Sequence, residues 1–196
     1  MILKDLYKKS FLFLNDLAVS NKIFTHMTFD EKNELFVLSK KTEGIFVEIG
    51  SYLGASSCFI AQGIRKSRTI SKFYCIDTWQ NDAMSEGKRD TYEEFLKNTE
   101  KYKDIIIPVR ETSQNAVEVL KRKLETVDML FIDADHEYPG CKRDWDFYSP
   151  FLKSGSLVIF HDYGWAEGVQ RVVNDDVKPK VIKEGFLQNM WWGWIK

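Results

Sequence analysis

Cysteine is scarce in this chain. Cys58, Cys75 and Cys141 are three thiols in 196 residues, an odd number with no C-x-x-C spacing. That excludes a disulfide framework or a zinc knuckle as the organising device and favours a reducing, cytoplasmic setting. Charge of one sign is lacking too: 28 Lys and Arg against 29 Asp and Glu leave a net charge of −1. No basic field exists to hold a polyanion, so a dedicated nucleic-acid binder is not expected. Long apolar runs are missing as well. The opening stretch MILKDLYKKSFLFLNDLAVSNK is cut by Lys4, Asp5, Lys8, Lys9 and Asp16. It offers neither a signal peptide nor a span of about 18 residues, and a soluble, unprocessed protein with no membrane partner is expected. With only four prolines and eleven glycines there is no Pro- or Gly/Ser-rich linker and no repeat, so residues 1–196 are expected to form one domain. What the chain does have is aromatic surface: six tryptophans within a 14% aromatic content, which calls for a large aromatic core or an apolar pocket.

Short β-branched or aromatic runs recur at Ile45–Ile49, Phe73–Ile76, Ile105–Val109, Val127–Ile132 and Leu157–Phe160, and read as buried strands. Helical spacing fills the intervals Ser56–Ile64, Thr91–Tyr102, Ser113–Leu124 and Tyr138–Leu152. Alternating strands and helices give right-handed βαβ units and a mostly parallel sheet, an α/β fold. Thr28 followed by Glu31 has capping-box spacing, so residues 1–40 read as a helical cap in front of a core over 41–196. A helix over Ala166–Asn174 ends before Pro179, and the tail VIKEGFLQNMWWGWIK alternates around Gln188 and Asn189, predicting an antiparallel closing hairpin.

In an open parallel sheet, ligands bind beyond the carboxyl ends of the strands. The residues there are polar and mostly acidic: Glu48 leading into Gly50-Ser51-Tyr52-Leu53-Gly54, then Asp77, then Asp133-Ala134-Asp135-His136, then His161-Asp162. Gly50 and Gly54 let the backbone turn tightly and come close to a ligand, in front of a helix whose first N–H groups are unpaired. Their G-x-x-x-G spacing is neither the dinucleotide fingerprint nor a phosphate-binding loop, so the loop suits a ligand without a pyrophosphate. Asp77, at the next strand end, stands near the interval where a carboxylate accepts hydrogen bonds from a ribose, which implies a nucleoside-bearing ligand.

The blocks Glu48–Gly54, Cys75–Trp79, Asp128–Tyr138 and Phe160–Tyr163, in that order, resemble the class I S-adenosylmethionine-dependent methyltransferases. The DADHEY and HDY blocks resemble its small-molecule O-methyltransferase branch, which includes macrocin O-methyltransferase-like and cephalosporin hydroxylase-like proteins. The resemblance implies a single-domain Rossmann-like seven-stranded sheet of order 3-2-1-4-5-7-6, with helices on both faces and an antiparallel closing hairpin. It further implies methyl transfer from S-adenosylmethionine to a hydroxyl of a small molecule or sugar. Carried over by position, Gly50 and Gly54 would line the methionine moiety, Ser51 and Tyr52 between them would also bind the cofactor, and Glu48 would stand behind them. Asp77 would hold the ribose, Thr78 and Trp79 would flank the adenosine, Thr112 and Ser113 would lie near the adenine, and Asp133 would face the sulfonium. In the metal-dependent O-methyltransferases that these blocks resemble, Asp133, His161 and Asp162 would be ligands for Mg²⁺ or another divalent cation. This chain has His161-Asp162 where that family usually shows Asp-Asn, and His136 in place of a basic lysine. His136, His161 and Asp133 are therefore the catalytic candidates, with either histidine as the base.

Two other readings stand beside this one: a non-catalytic S-adenosylmethionine- or partner-binding domain, and a hydroxylase-like oxidative enzyme of the same fold. A His136 buried away from the cleft would favour the first. Thr112 and Ser113 fit a helix cap as well as a ligand contact. Trp191, Trp192 and Trp194, alternating along the last strand, read as sheet packing, His26 as a solvated loop residue and the cysteines as small core groups. The segments Thr25–Asp30 and Trp79–Asp90, the latter with Ser85 and Gly87, are expected to form a mobile cover over the cofactor. Oligomeric state has no signal in the sequence, and a homo-oligomer is compatible with it.

Overall fold

A computed structural model describes residues 2–81 and 87–196. Part of the expected cover, including Ser85, lies outside the described residues.

The helical cap comprises α1 (Ile2–Leu14) and α2 (Phe29–Lys40), joined through a short 3₁₀ turn at Ser20–Lys22. The core then alternates as its sequence pattern predicts: β1 (Ile45–Ile49), α3 (Ala55–Ser67), β2 (Lys72–Asp77), α4 (Tyr92–Thr99), β3 (Ile106–Arg110), α5 (Ser113–Leu120), β4 (Val127–Ile132), α6 (Tyr138–Tyr148), β5 (Leu152–Phe160) and α7 (Glu167–Val172). The chain closes with β6 (Val181–Leu187) and β7 (Met190–Ile195). The sheet order is β3-β2-β1-β4-β5-β7-β6, with β7 antiparallel to both β5 and β6.

Both faces of each inner strand are apolar because both faces are covered. Val47, Ile49, Leu130, Ile132, Val158 and Phe160 pack with Val117 of α5, Trp145 of α6 and Val172 of α7. The alternate residues Phe46, Phe73, Met129, Phe131 and Ile159 pack with Leu35 of α2, Ile60 of α3 and Phe95 of α4. Trp191 is buried on the first face, while Trp192 and Trp194 pack on the second, as their alternation predicts. The three cysteines are free and buried. Among the described residues no helix is long and apolar enough to cross a membrane.

Several boundaries lie one to four residues from the sequence pattern, and two further differences have a clear physical cause. β5 begins at Leu152, not Leu157, because its first half runs exposed through Lys153–Gly155, where the apolar signal is lost. α7 stops at Val172 and the chain continues as a π turn over Val173–Val177, then a 3₁₀ turn that contains Pro179. The Thr28–Glu31 capping box is formed in full, and Thr112 caps α5 by accepting from the Asn115 N–H.

Candidate active site at the carboxyl edge of the sheet

The carboxyl ends of β1 and β4 come so close that only glycine fits between them. Gly50 has φ +90°, and a Cβ there would lie 1.9 Å from the carbonyl oxygen of Asp133. Gly54, also left-handed, is the N-cap of α3, but a Cβ on it would meet Thr99 and Phe95. It packs against α4 and lines neither of the two cavities described below. Glu48 is fully buried and accepts from the hydroxyls of Ser56, at 2.6 Å, and Ser57. Burial raises its pKa. Its place is under the loop, holding the first turn of α3.

Asp77 ties two loops together. Its Oδ2 accepts from the Tyr52 N–H at 2.8 Å and its Oδ1 from the Trp79 N–H at 2.7 Å. Burial raises its pKa against the pull of those N–H groups. Beside it lies a cavity of about 270 Å³ lined by Asp77, Thr78, Asn81, Thr112, Ser113 and Asp144, among others. Asn81 Oδ1 is buried there without a hydrogen-bond partner among the described residues. Trp79 does not reach this space. Its indole is fully buried against Tyr92 and Phe95 and donates to the Tyr52 carbonyl at 2.8 Å.

A second cavity of about 490 Å³ adjoins the first, and Gly50, Tyr52, Asp133 and Ala134 line both. Its floor is a network of carboxylates and histidines. His136 Nε2 stands 2.8 Å from Asp162 Oδ2. His161 Nδ1 lies 3.2 Å from Asp133 Oδ1 and 3.3 Å from Asp162 Oδ1, and its Nε2 faces Glu31 Oε2 at 3.7 Å. Asp162 Oδ1 also accepts from Trp165 Nε1 and Asn189 Nδ2, each at 2.7 Å. Asp162 sits at φ +60°, a left-handed backbone that this set of contacts holds in place.

The electrostatics separate the two histidines. Burial opposes charge on His161, but Asp133, Asp162 and Glu31 surround it and push its pKa up to about 12. The three carboxylates around it favour its charged form. Burial would raise Glu31, yet the facing His161 with hydrogen bonds from Thr28 and Asn189 brings it down to about 2. Asp162 is likewise lowered, the donors around it outweighing its burial. His136 is raised chiefly by its bond to Asp162. Its side chain is 41% exposed and lines the larger cavity.

Asp133, His136 and Asp162 offer ligand atoms within 4.8 Å of one another. This set shares only the two aspartates with the expected metal set of Asp133, His161 and Asp162, because His161 lies beneath the carboxylates as their counter-ion.

Several residues of the site carried no sequence signal. Glu31 was legible only as half of a capping box; its Oε1 also accepts from the Asn189 N–H at 2.9 Å. Phe24, His26 and Met27 line the larger cavity; His26 is an exposed loop residue, as the sequence reads, and also forms part of the cavity's rim. Trp165 packs edge-on against His136.

A family described as methyltransferase domain matches residues 47–163, and the chain belongs to it. Among curated proteins it is 28% identical over 118 residues to uncharacterized protein y4gI of Sinorhizobium fredii, covering 59% of this chain. It is 24% identical over 156 residues, 76% of this chain, to uncharacterized protein R132 of Acanthamoeba polyphaga mimivirus. The matches span 13% and 66% of those relatives' lengths. Among solved structures, an O-methyltransferase of Bacillus cereus in complex with SAH superposes with a TM-score of 0.69 at 14% identity, over 96% of this chain and 90% of that one. The fold is therefore the Rossmann-like methyltransferase fold.

Proposed function

We propose that this protein is an S-adenosylmethionine-dependent methyltransferase acting on a hydroxyl of an uncharged small molecule or sugar. The observation that carries the reading is His136, paired to Asp162 at 2.8 Å and open to the larger cavity beside Asp133, which lines both cavities.

The residues present fit the cofactor. Ser51 Oγ in the larger cavity and Asn81 Oδ1 in the smaller are buried polar atoms without a partner among the described residues, as a ligand site requires. Asp77 would hold the ribose hydroxyls, Thr112 and Ser113 would border the adenine, and Gly50, Ser51 and Tyr52 would line the methionine portion. The Bacillus cereus protein of the same fold is solved with SAH, the product form of that cofactor. When bound, S-adenosylmethionine supplies an electrophilic methyl group on a sulfonium.

The chain's own task is to seat the acceptor and take its proton. With His136 Nε2–H donated to Asp162, Nδ1 becomes the lone-pair nitrogen and Asp162 fixes the tautomer, the logic of an oriented His–Asp pair. His161 stands against both Asp133 and Asp162 and holds their side chains in place. Phe24, Met27, Tyr52, Leu53 and Trp165 give the larger cavity apolar walls, and among the described residues no lysine or arginine lines it. Such a lining, with His136 and His161 paired to Asp162 and Asp133, suits a neutral acceptor better than a phosphate.

The donor set disagrees with a resident divalent cation. Asp162 carries His136, His161, Trp165 and Asn189 around its two oxygens, and a cation would have to sit beside the charged His161. The chemistry is accordingly assigned to His136 alone.

Calorimetry with S-adenosylhomocysteine and methyl-transfer assays against a panel of phenols and sugars test this reading. Asp77→Ala should weaken S-adenosylhomocysteine binding by roughly 10- to 100-fold, the value of a hydrogen bond to a charged group. His136→Ala should lower turnover by about 10²- to 10⁴-fold, with EDTA leaving the wild type unchanged. The rate of the wild type should climb with pH through an apparent pKa above 6.5, because His136 must be neutral to act and Asp162 raises it. Absence of S-adenosylhomocysteine binding, or full turnover by His136→Ala, overturns the assignment.

A further inference from the structure

The face of α1 turned away from the protein body is apolar. Leu3 and Phe13 are each 82% exposed, Leu14 is 71% exposed, and Leu6 and Tyr7 are more than half exposed. At about 100° per residue these five, with Ser10 among them, fall on one stripe roughly 120° wide, the spacing of a helix face made for burial. The opposite side of the helix packs inward: Leu12 is buried, Phe11 stands edge-on to Phe29 and Phe36, and Lys8 lies over the Phe29 ring. α1 therefore has two apolar faces, and its own chain covers one. Its N-terminal end stands clear of the body, every residue from Leu3 to Tyr7 being exposed. Helices shorter than about 12 residues are marginal in water and take their stability from packing, so this end is short of a partner.

We infer that the exposed face of α1 docks a second copy of the chain, helix against helix, antiparallel about a two-fold axis. Area is the first ground. Leucine and aromatic side chains exposed to this degree offer on the order of 100 Å² each, so two copies bring together roughly 1,000 Å² or more, the size at which a specific interface begins. A contiguous apolar stripe of that extent is uncommon on a protein that stays monomeric.

Charge is the second ground. Asp5 and Lys9 lie one turn apart on the same flank of the stripe and are both exposed. An antiparallel two-fold sets like flank against like flank, so each Asp5 comes beside the partner's Lys9 and each Lys9 beside the partner's Asp5. The rim is thus self-complementary, as a contact between identical surfaces requires. With the axis between Tyr7 and Ser10, Leu3 reaches the partner's Leu14 and the Tyr7 ring lies over the partner's Ser10, which makes room for it. An anionic lipid surface would gain from a wholly cationic rim, and Asp5 interrupts this one.

Sedimentation velocity and light scattering on the intact chain test the inference. Wild type should have twice the mass of one chain, with Kd in the micromolar range or below. Leu6→Lys and Phe13→Glu, each acting twice across the two-fold, should weaken association by about 10-fold or more, with circular dichroism and Tm unchanged because both positions are exposed. Asp5→Lys should weaken it as well, and Asp5→Lys combined with Lys9→Asp should restore it to within about threefold of wild type. A wild type still monomeric at about 100 µM overturns the inference, as does a dimer that both apolar-face variants leave intact. A double variant no better than Asp5→Lys overturns the antiparallel arrangement. Monomeric wild type that co-sediments with phosphatidylcholine–phosphatidylserine vesicles, with Leu6→Lys failing to do so, gives the face to lipid and overturns the inference too.

Discussion

His161 is the residue whose surroundings most constrain what it can do. Three carboxylates face a side chain that is 3% exposed, so its positive charge is structural. His161→Gln should cost about 3 to 5 kcal/mol, the usual consequence of removing one partner from a buried ionic group. The sign of the pH dependence follows from the shifts. His161, raised to about 12, contributes stability that is complete below pH 6.5 and lost only as pH climbs towards 12. Glu31, lowered to about 2, contributes stability present above about pH 4.5 and lost as pH falls towards 2. Urea unfolding should therefore show the full difference between wild type and variant near pH 6 and a smaller one at pH 3.5. An equal difference at both values would contradict the ionic account. At this scale the sequence was legible where residues stand at strand ends: Asp77, Asp133, His136 and Asp162 all reach the cavities. Trp79 and Gly54 misled because adjacency to a site residue does not set direction; one indole packs inward on Phe95, and one glycine serves the packing of α3 on α4. Glu31 and Asn189 could not be paired from sequence, being 158 positions apart.

Among the elements, α2 and the β6–β7 hairpin depend on each other. Thr28 caps α2 and its hydroxyl also meets Gln188 Oε1 at 2.5 Å, while the capping partner Glu31 holds the Asn189 N–H. Asn189 then reaches on to Asp162 and, through Oδ1, to the Gly164 N–H at 2.9 Å. A helix cap, a hairpin tip and the loop after β5 are thus one hydrogen-bonded unit behind His136. Thr28→Ala should cost about 1 kcal/mol, as cap removal usually does, measured by thermal unfolding. It should also lower turnover more than S-adenosylhomocysteine affinity, because the unit borders the larger cavity. A variant with wild-type stability and turnover would show the cap to be incidental. Strand and helix identities were readable because short doubly buried runs and 3.6-residue spacing alternate without interruption. The exposed first half of β5 and the π turn after α7 were not, since neither carries an apolar period.

For the whole molecule, the two cavities share Gly50, Tyr52, Asp133 and Ala134, which follow β1 and β4, the strands at the middle of the sheet. The helices on both faces pack against these same strands, through Val47 and Leu130 on one side and Phe46 and Met129 on the other. A ligand seated there is coupled to the part of the structure that must come apart for the chain to unfold. Binding to the folded state alone at 100 times Kd adds about 2.7 kcal/mol. For a domain of this size each kcal/mol moves Tm by about 2 to 4 °C, so saturating S-adenosylhomocysteine should raise Tm by roughly 5 to 10 °C. Asp77→Ala, tested at the same ligand concentration, should lose most of that rise, because a 10- to 100-fold weaker Kd removes about 1.4 to 2.7 kcal/mol of the linkage. Differential scanning fluorimetry measures both. An equal rise in Asp77→Ala would place the nucleoside away from the β2 end and remove the ground on which Asp77 was assigned to the ribose.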